Sequence, residues 1–65
     1  MRFIKDFEQR ASDGQRIIYV PAGTEASVEE FADKCFEVTT EKPCTKNGDN
    51  QFDLSSANIA EYLSE

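Results

Sequence analysis

Sixteen branched-aliphatic and aromatic side chains are all that this chain has to build a core: Phe3, Ile4, Phe7, Ile17, Ile18, Tyr19, Val20, Val28, Phe31, Phe36, Val38, Phe52, Leu54, Ile59, Tyr62 and Leu63. A chain of 65 residues buries only about 60% of the surface that its unfolded form exposes, so nearly all sixteen have to face inward around one core. A single domain over residues 1–65 is expected. Enclosing a small molecule takes about 300 Å³ or more, which a core of this size cannot surround and remain packed. An enzyme working alone, or a resident cofactor, is therefore not expected.

Hydrophobic periodicity sets the expected elements. From Met1 to Ser12, Phe3, Ile4, Phe7 and Ala11 share one arc of about 100° on a helix. Arg10 follows Asp6 by four positions, and Gly14 offers a left-handed cap after Asp13. The alternative is a strand over residues 2–10 that turns at Asp13-Gly14. Ile17-Ile18-Tyr19-Val20, stopped by Pro21 and Gly23, reads as a buried strand. Ser27 with Glu30 three positions on makes a capping box. The helix it opens would place Val28, Phe31, Ala32, Cys35 and Phe36 on one apolar arc of about 140°, with Glu29, Glu30 and Asp33 outside. Phe36 to Thr40 reads as a strand closed by Pro43, Asn47-Gly48 as a turn, and Gln51 to Leu54 as a short strand. Ser55 or Ser56 caps a last helix with Ile59, Ala60, Tyr62 and Leu63 inward and Glu61 and Glu65 in water. The expectation is a small α+β domain of order α-β-α-β-β-α, a two- or three-stranded sheet packed with about three helices.

Most chemistry is excluded by what the chain lacks. There is no histidine, the commonest general base near neutral pH and the commonest metal ligand. Gly14, Gly23 and Gly48 stand too far apart to form a phosphate loop. Without histidine, Cys35 and Cys44 cannot complete a tetrahedral zinc site in one chain, which leaves only intersubunit or mixed carboxylate sites, and metal binding is not expected. Separated by eight residues in a chain with no secretory signal, the two cysteines are expected as free thiols, Cys35 in the core. Asn47, Asp49, Asn50 and Asp53 lack calcium-loop spacing and its terminal bidentate Glu, so that segment reads as a polar loop with no metal. No segment approaches the roughly 20 apolar residues of a membrane span. The expected protein is soluble and intracellular, a monomer with a dimer as the alternative.

Charge is what distinguishes this sequence. Residues 1–24 carry Arg2, Lys5, Arg10 and Arg16 against Asp6, Glu8 and Asp13, a sum of +1, while residues 25–65 carry ten acids against Lys34, Lys42 and Lys46, a sum of −7. Direct contact with nucleic acid relies on Lys and Arg against phosphate and is disfavoured. Rows of acidic side chains instead imitate a phosphate backbone and fit a basic groove that holds DNA or RNA. The candidate face comprises Glu25, Glu29, Glu30, Asp33, Glu37, Asp49, Asp53 and Glu61, with Tyr62 as a partly exposed aromatic anchor. The bland counterpart is an acidic surface that keeps a small protein soluble. Glu29 and Asp33, four apart on one helical face, would be solvated there and not a catalytic pair.

In size, acidity and single-domain make-up the whole chain resembles the small phage-encoded anti-CRISPR proteins. That resemblance implies an inhibitor that occupies the nucleic-acid surface of a guide-RNA complex in the cytoplasm of a bacterial host. Separately, Tyr19-Val20-Pro21-Ala22-Gly23, and Phe36-Glu37-Val38-Thr39 followed by Pro43-Cys44, are similar to segments of a short podophage inhibitor of bacterial RNA polymerase. Where that family has basic residues that bind the polymerase, this chain has Thr40, Glu41 and Lys42.

Overall fold

The computed structural model describes residues 1–10 and 17–65. It is built mainly of strands: β1 (Arg2–Phe3), β2 (Phe7–Arg10), β3 (Ile17–Val20), β4 (Ala26–Ala32), β5 (Cys35–Thr40), β6 (Gln51–Ser55), one helix α1 (Ser56–Tyr62), and β7 (Leu63–Ser64). They form three small antiparallel sheets, β1-β7, β2-β3 and β4-β5-β6. The expected α+β order α-β-α-β-β-α is therefore wrong, and the fold is a β structure carrying, among the described residues, a single short helix.

Two of the three expected helices are strands. At the N-terminus the alternative reading prevails in outline: β2 pairs with β3 from Phe7↔Val20 to Arg10↔Ile17. Phe3 and Phe7 are buried whereas Ile4, assigned to the same helical arc, is 57% exposed. Gly14 and the Asp13-Gly14 turn lie outside the described residues. Asp6 does not pair with Arg10; its carboxylate accepts the Ala22 N–H at 2.8 Å, and Arg10 pairs with Glu8 at 3.1 Å.

The larger correction concerns residues 27–36. Ser27 and Glu30 form no capping box, because Ala26–Ala32 is a strand whose register runs Ala26↔Thr40, Ser27↔Thr39, Val28↔Val38, Glu29↔Glu37 and Glu30↔Phe36. A bulge at Phe31 and a turn at Asp33-Lys34 then reverse the chain. Of the five residues of the expected apolar arc, Phe31, Ala32 and Cys35 are exposed and Val28 and Phe36 only half-buried. Helix and strand preferences differ by tenths of a kcal/mol per residue, and an isolated helix of about ten residues is marginal in water. Pairing to both edges of β5 outweighs them: it buries Val38 completely at the centre of a three-stranded sheet.

The remaining elements follow their local signals. Ile17–Val20, Phe36–Thr40 and Gln51–Leu54 lie in strands, and Gly48 sits in the loop at φ +90°, the left-handed region that glycine enters freely. Ser55 caps α1, its hydroxyl accepting the Asn58 N–H at 3.4 Å. On that helix Ile59 and Tyr62 pack on the core, but Ala60 faces water.

The sheets share one core of Phe3, Phe7, Ile18, Val20, Val38, Cys44, Phe52, Leu54 and Leu63. Main-chain bonds stitch them together. β1 lies between β7 and residues 23–26: Phe3 N–H donates to Thr24 O at 2.9 Å, Gly23 N–H to Phe3 O at 2.7 Å and Ala26 N–H to Met1 O at 2.8 Å. On the far side Tyr19 N–H donates to Cys44 O at 2.8 Å and Lys46 N–H to Ile17 O at 3.0 Å, which docks the 41–50 loop on β3. Among the described residues no helix is long and apolar enough to cross a membrane.

Candidate functional site

Strand alternation divides β4-β5-β6 into two faces. Val28, Val38 and Phe52 stand in register on the core face, with Phe36 and Leu54 beside them. One step along each strand the opposite face carries Glu29↔Glu37↔Asp53, three carboxylates on three adjacent strands in direct register. The flanking row of that face is Ser27↔Thr39↔Gln51, uncharged, with Gln51 Nε2 donating to Thr39 Oγ1 at 3.4 Å. Neighbouring strands are about 4.8 Å apart, so the three acids make a line of negative charge across the sheet.

The line has no ion-pair partner among the described residues. Basic side chains of the first segment take up other acids: Arg2 Nε pairs with Glu25 at 3.0 Å, Lys5 Nζ with Glu61 at 3.2 Å and Arg10 Nε with Glu8 at 3.1 Å. Among the described residues no cation pairs with Glu29, Glu37 or Asp53. Nor do three acidic or cysteine side chains converge closely enough, among those residues, to hold a metal ion. Like charges directly opposite in a sheet cost stability. Glu37, half-buried on the central strand, faces one on each side. Glu37→Gln is expected to raise stability by about 1 kcal/mol at low ionic strength, from two relieved pairs. The gain should shrink in salt, which thermal melts at two salt concentrations measure.

The nine residues selected from sequence thus separate. Glu29, Glu37 and Asp53 are brought together. Glu25 and Glu61 sit at the β1 end, already paired with Arg2 and Lys5. Glu30 stands opposite Phe36, on the other side of β4 from Glu29, and Asp33 is in the β4–β5 turn. Asp49 has a structural main chain: its carbonyl accepts from Cys44 N–H at 2.8 Å and Thr45 N–H at 3.1 Å, and its own N–H donates to Thr45 Oγ1 at 2.8 Å. Glu29, Glu30 and Asp33 are not the outer face of a helix.

Tyr62 is half-buried. Its ring packs edge-on against Phe7, 4.9 Å between centroids, and Lys5 Nζ lies 5.0 Å from its centre. The exposed aromatics are Phe31, 58% exposed at the bulge of β4, and Tyr19, 50% exposed on β3. Alternation along Ile17–Val20 would have located Tyr19, since Ile18 and Val20 point inward. Phe31 had no such signal, because its helical spacing to Val28 and Cys35 points the other way.

Tyr19 also walls a groove of about 440 Å³ with Pro21, Thr24, Glu25, Pro43 and Cys44. The groove brings Tyr19, Val20 and Pro21 alongside Pro43 and Cys44, across the hydrogen bond from Tyr19 N–H to Cys44 O. Both cysteines are free, Cys44 buried at this wall and Cys35 exposed beside the β4–β5 turn, which corrects the assignment of Cys35 to the core. No protein-family model matches the sequence, no curated protein aligns with it significantly, and no solved structure superposes on it significantly.

Proposed function

We propose that the chain is a small acidic binding protein that occupies the basic DNA- or RNA-binding surface of a larger complex and so inhibits it, without catalysis. The observation that carries this is the in-register row Glu29–Glu37–Asp53, held on a three-stranded sheet with no ion pair to a described cation. Its charge spacing of about 5 Å is of the order of the 3.4 Å per phosphate along one nucleic-acid strand. A cationic groove would offset the repulsion that the free protein carries, so part of the association energy comes from relieving it.

The test is capture of nucleic-acid-binding proteins from a bacterial lysate by the immobilised chain, with elution by duplex DNA and by salt. Capture is expected to fall steeply between about 50 and 200 mM salt and to be reversed by DNA. It should be lost in the triple variant Glu29→Lys, Glu37→Lys, Asp53→Lys while far-UV circular dichroism stays native. Capture that survives the triple reversal excludes the acidic row. A second reading, an inhibitor of bacterial RNA polymerase or another interaction module docking through apolar surface, is favoured by the exposed ring of Tyr19 in the groove. It expects salt-insensitive capture that Tyr19→Ala removes and charge reversal does not.

A further inference from the structure

β4 is an outer strand of its sheet, and part of its open edge is already in use. Ala26 N–H donates to Met1 O at 2.8 Å and the Met1 amine donates to Ala26 O at 3.0 Å, so the main-chain groups of Ala26 point away from β5. In an antiparallel ladder these directions alternate, which sends the N–H and C=O of Val28 and Glu30 the same way. Among the described residues no strand lies there to receive them. Immediately beyond, the bulge turns Phe31 outward, 58% exposed.

We infer that this edge, from Val28 to Glu30 with Phe31 at its end, takes an extended basic segment of the partner as an added strand. The sign of the partner's charge rests on the proposal above, while the mode of docking is new. Main-chain groups supply affinity in strand addition and alternate side chains supply selection. Here the selecting side chains are Glu29 on the outer face and Glu30 on the other, so a Lys or Arg at successive positions of the incoming strand meets a carboxylate on either face, and an apolar side chain meets Phe31. The same charges argue against a second copy as occupant, since two β4 edges laid antiparallel would set Glu29 and Glu30 of each against those of the other. The opposite edge, on β6, has no comparable anchor: its aromatic residue, Phe52, is buried.

A capped Thr-Lys-Lys-Thr-Lys-Lys-Thr peptide is the probe, beside the same peptide N-methylated at every residue, equal in charge but stripped of the main-chain donors that an added strand needs on either edge. Amide hydrogen exchange and chemical shifts of the full chain at low ionic strength are the readout. Saturating unmodified peptide is expected to slow exchange at Val28 and Glu30 at least fivefold, and the methylated peptide to bind about tenfold more weakly for loss of two main-chain hydrogen bonds. Equal affinity of the two peptides with shifts confined to Glu29, Glu37 and Asp53 overturns strand addition and leaves the acidic-face proposal standing. Slowing at Gln51 and Asp53 in place of Val28 and Glu30, or no binding by either peptide, overturns it as well.

Discussion

Phe52→Ala is expected to remove most of the stability of this protein. Phe52 is 2% exposed, stacks on Phe7 with centroids 5.8 Å apart, and lies 6.5 Å from Phe3. From β6 it also stands in register with the fully buried Val38. It therefore joins the three-stranded sheet to both β1 and β2. Truncating a buried Phe costs about 3–5 kcal/mol. At 0.05–0.15 kcal/mol per residue a chain of this length holds only about 3–10 kcal/mol in all. Urea denaturation followed by circular dichroism should show a midpoint loss equal to a third or more of the total, or no folded baseline. Phe31→Ala is the matched control. On the helix expected from sequence it would have been equally costly, whereas at an exposed bulge it should change stability by less than about 0.5 kcal/mol. Equal losses at the two positions would refute the register of β4.

Lys34→Pro is expected to break the β4–β5 hairpin. Lys34 has φ +61°, the only described non-glycine residue with positive φ, and its carbonyl accepts the Ser56 N–H at 3.1 Å. Proline is locked near φ −65° and cannot take that position, so the turn must reopen and the start of α1 loses a contact. The cost is on the order of 3 kcal/mol, the size of other backbone-incompatible proline substitutions. Lys34→Gly tests the same geometry from the other side. Relief of the left-handed strain, about 1 kcal/mol, is nearly cancelled by the greater chain entropy of unfolded glycine, so little net change is expected. In a helix over 27–36 glycine would instead cost about 1 kcal/mol. Chemical denaturation of both variants measures the contrast, and a destabilised Lys34→Gly with a tolerated Lys34→Pro would exclude the turn.

The elements legible in the sequence were those whose signal lies within a few residues. Ile17–Val20 is β-branched and aromatic throughout, Ser55 precedes the Ile59–Leu63 stripe, and Asn47-Gly48 can do little but turn. Residues 27–36 misled because two local signals agreed on the wrong element. The Ser27/Glu30 spacing and the Val28–Phe31–Cys35 stripe both suit a helix, but neither includes the partner strand. The candidate site followed the fold. Glu29, Glu37 and Asp53 were recognisable as surface acids, yet their alignment depends on a three-strand register. The pairings of Arg2 with Glu25 and Lys5 with Glu61, which set those two acids apart from the row, join residues far apart in the chain.

By itself the sequence determined a small, strongly acidic surplus after residue 24, the absence of histidine, three strand segments and the cap of the last helix. These are properties of composition or of neighbours along the chain. Tertiary structure decided whether 2–10 and 27–36 are helix or strand, which aromatics are exposed, and which carboxylates stand side by side. The physical reason is one of scale. Local preferences differ by tenths of a kcal/mol per residue, whereas burying Val38 and Phe52 beneath a paired sheet is worth several kcal/mol, and that term appears only when distant segments meet.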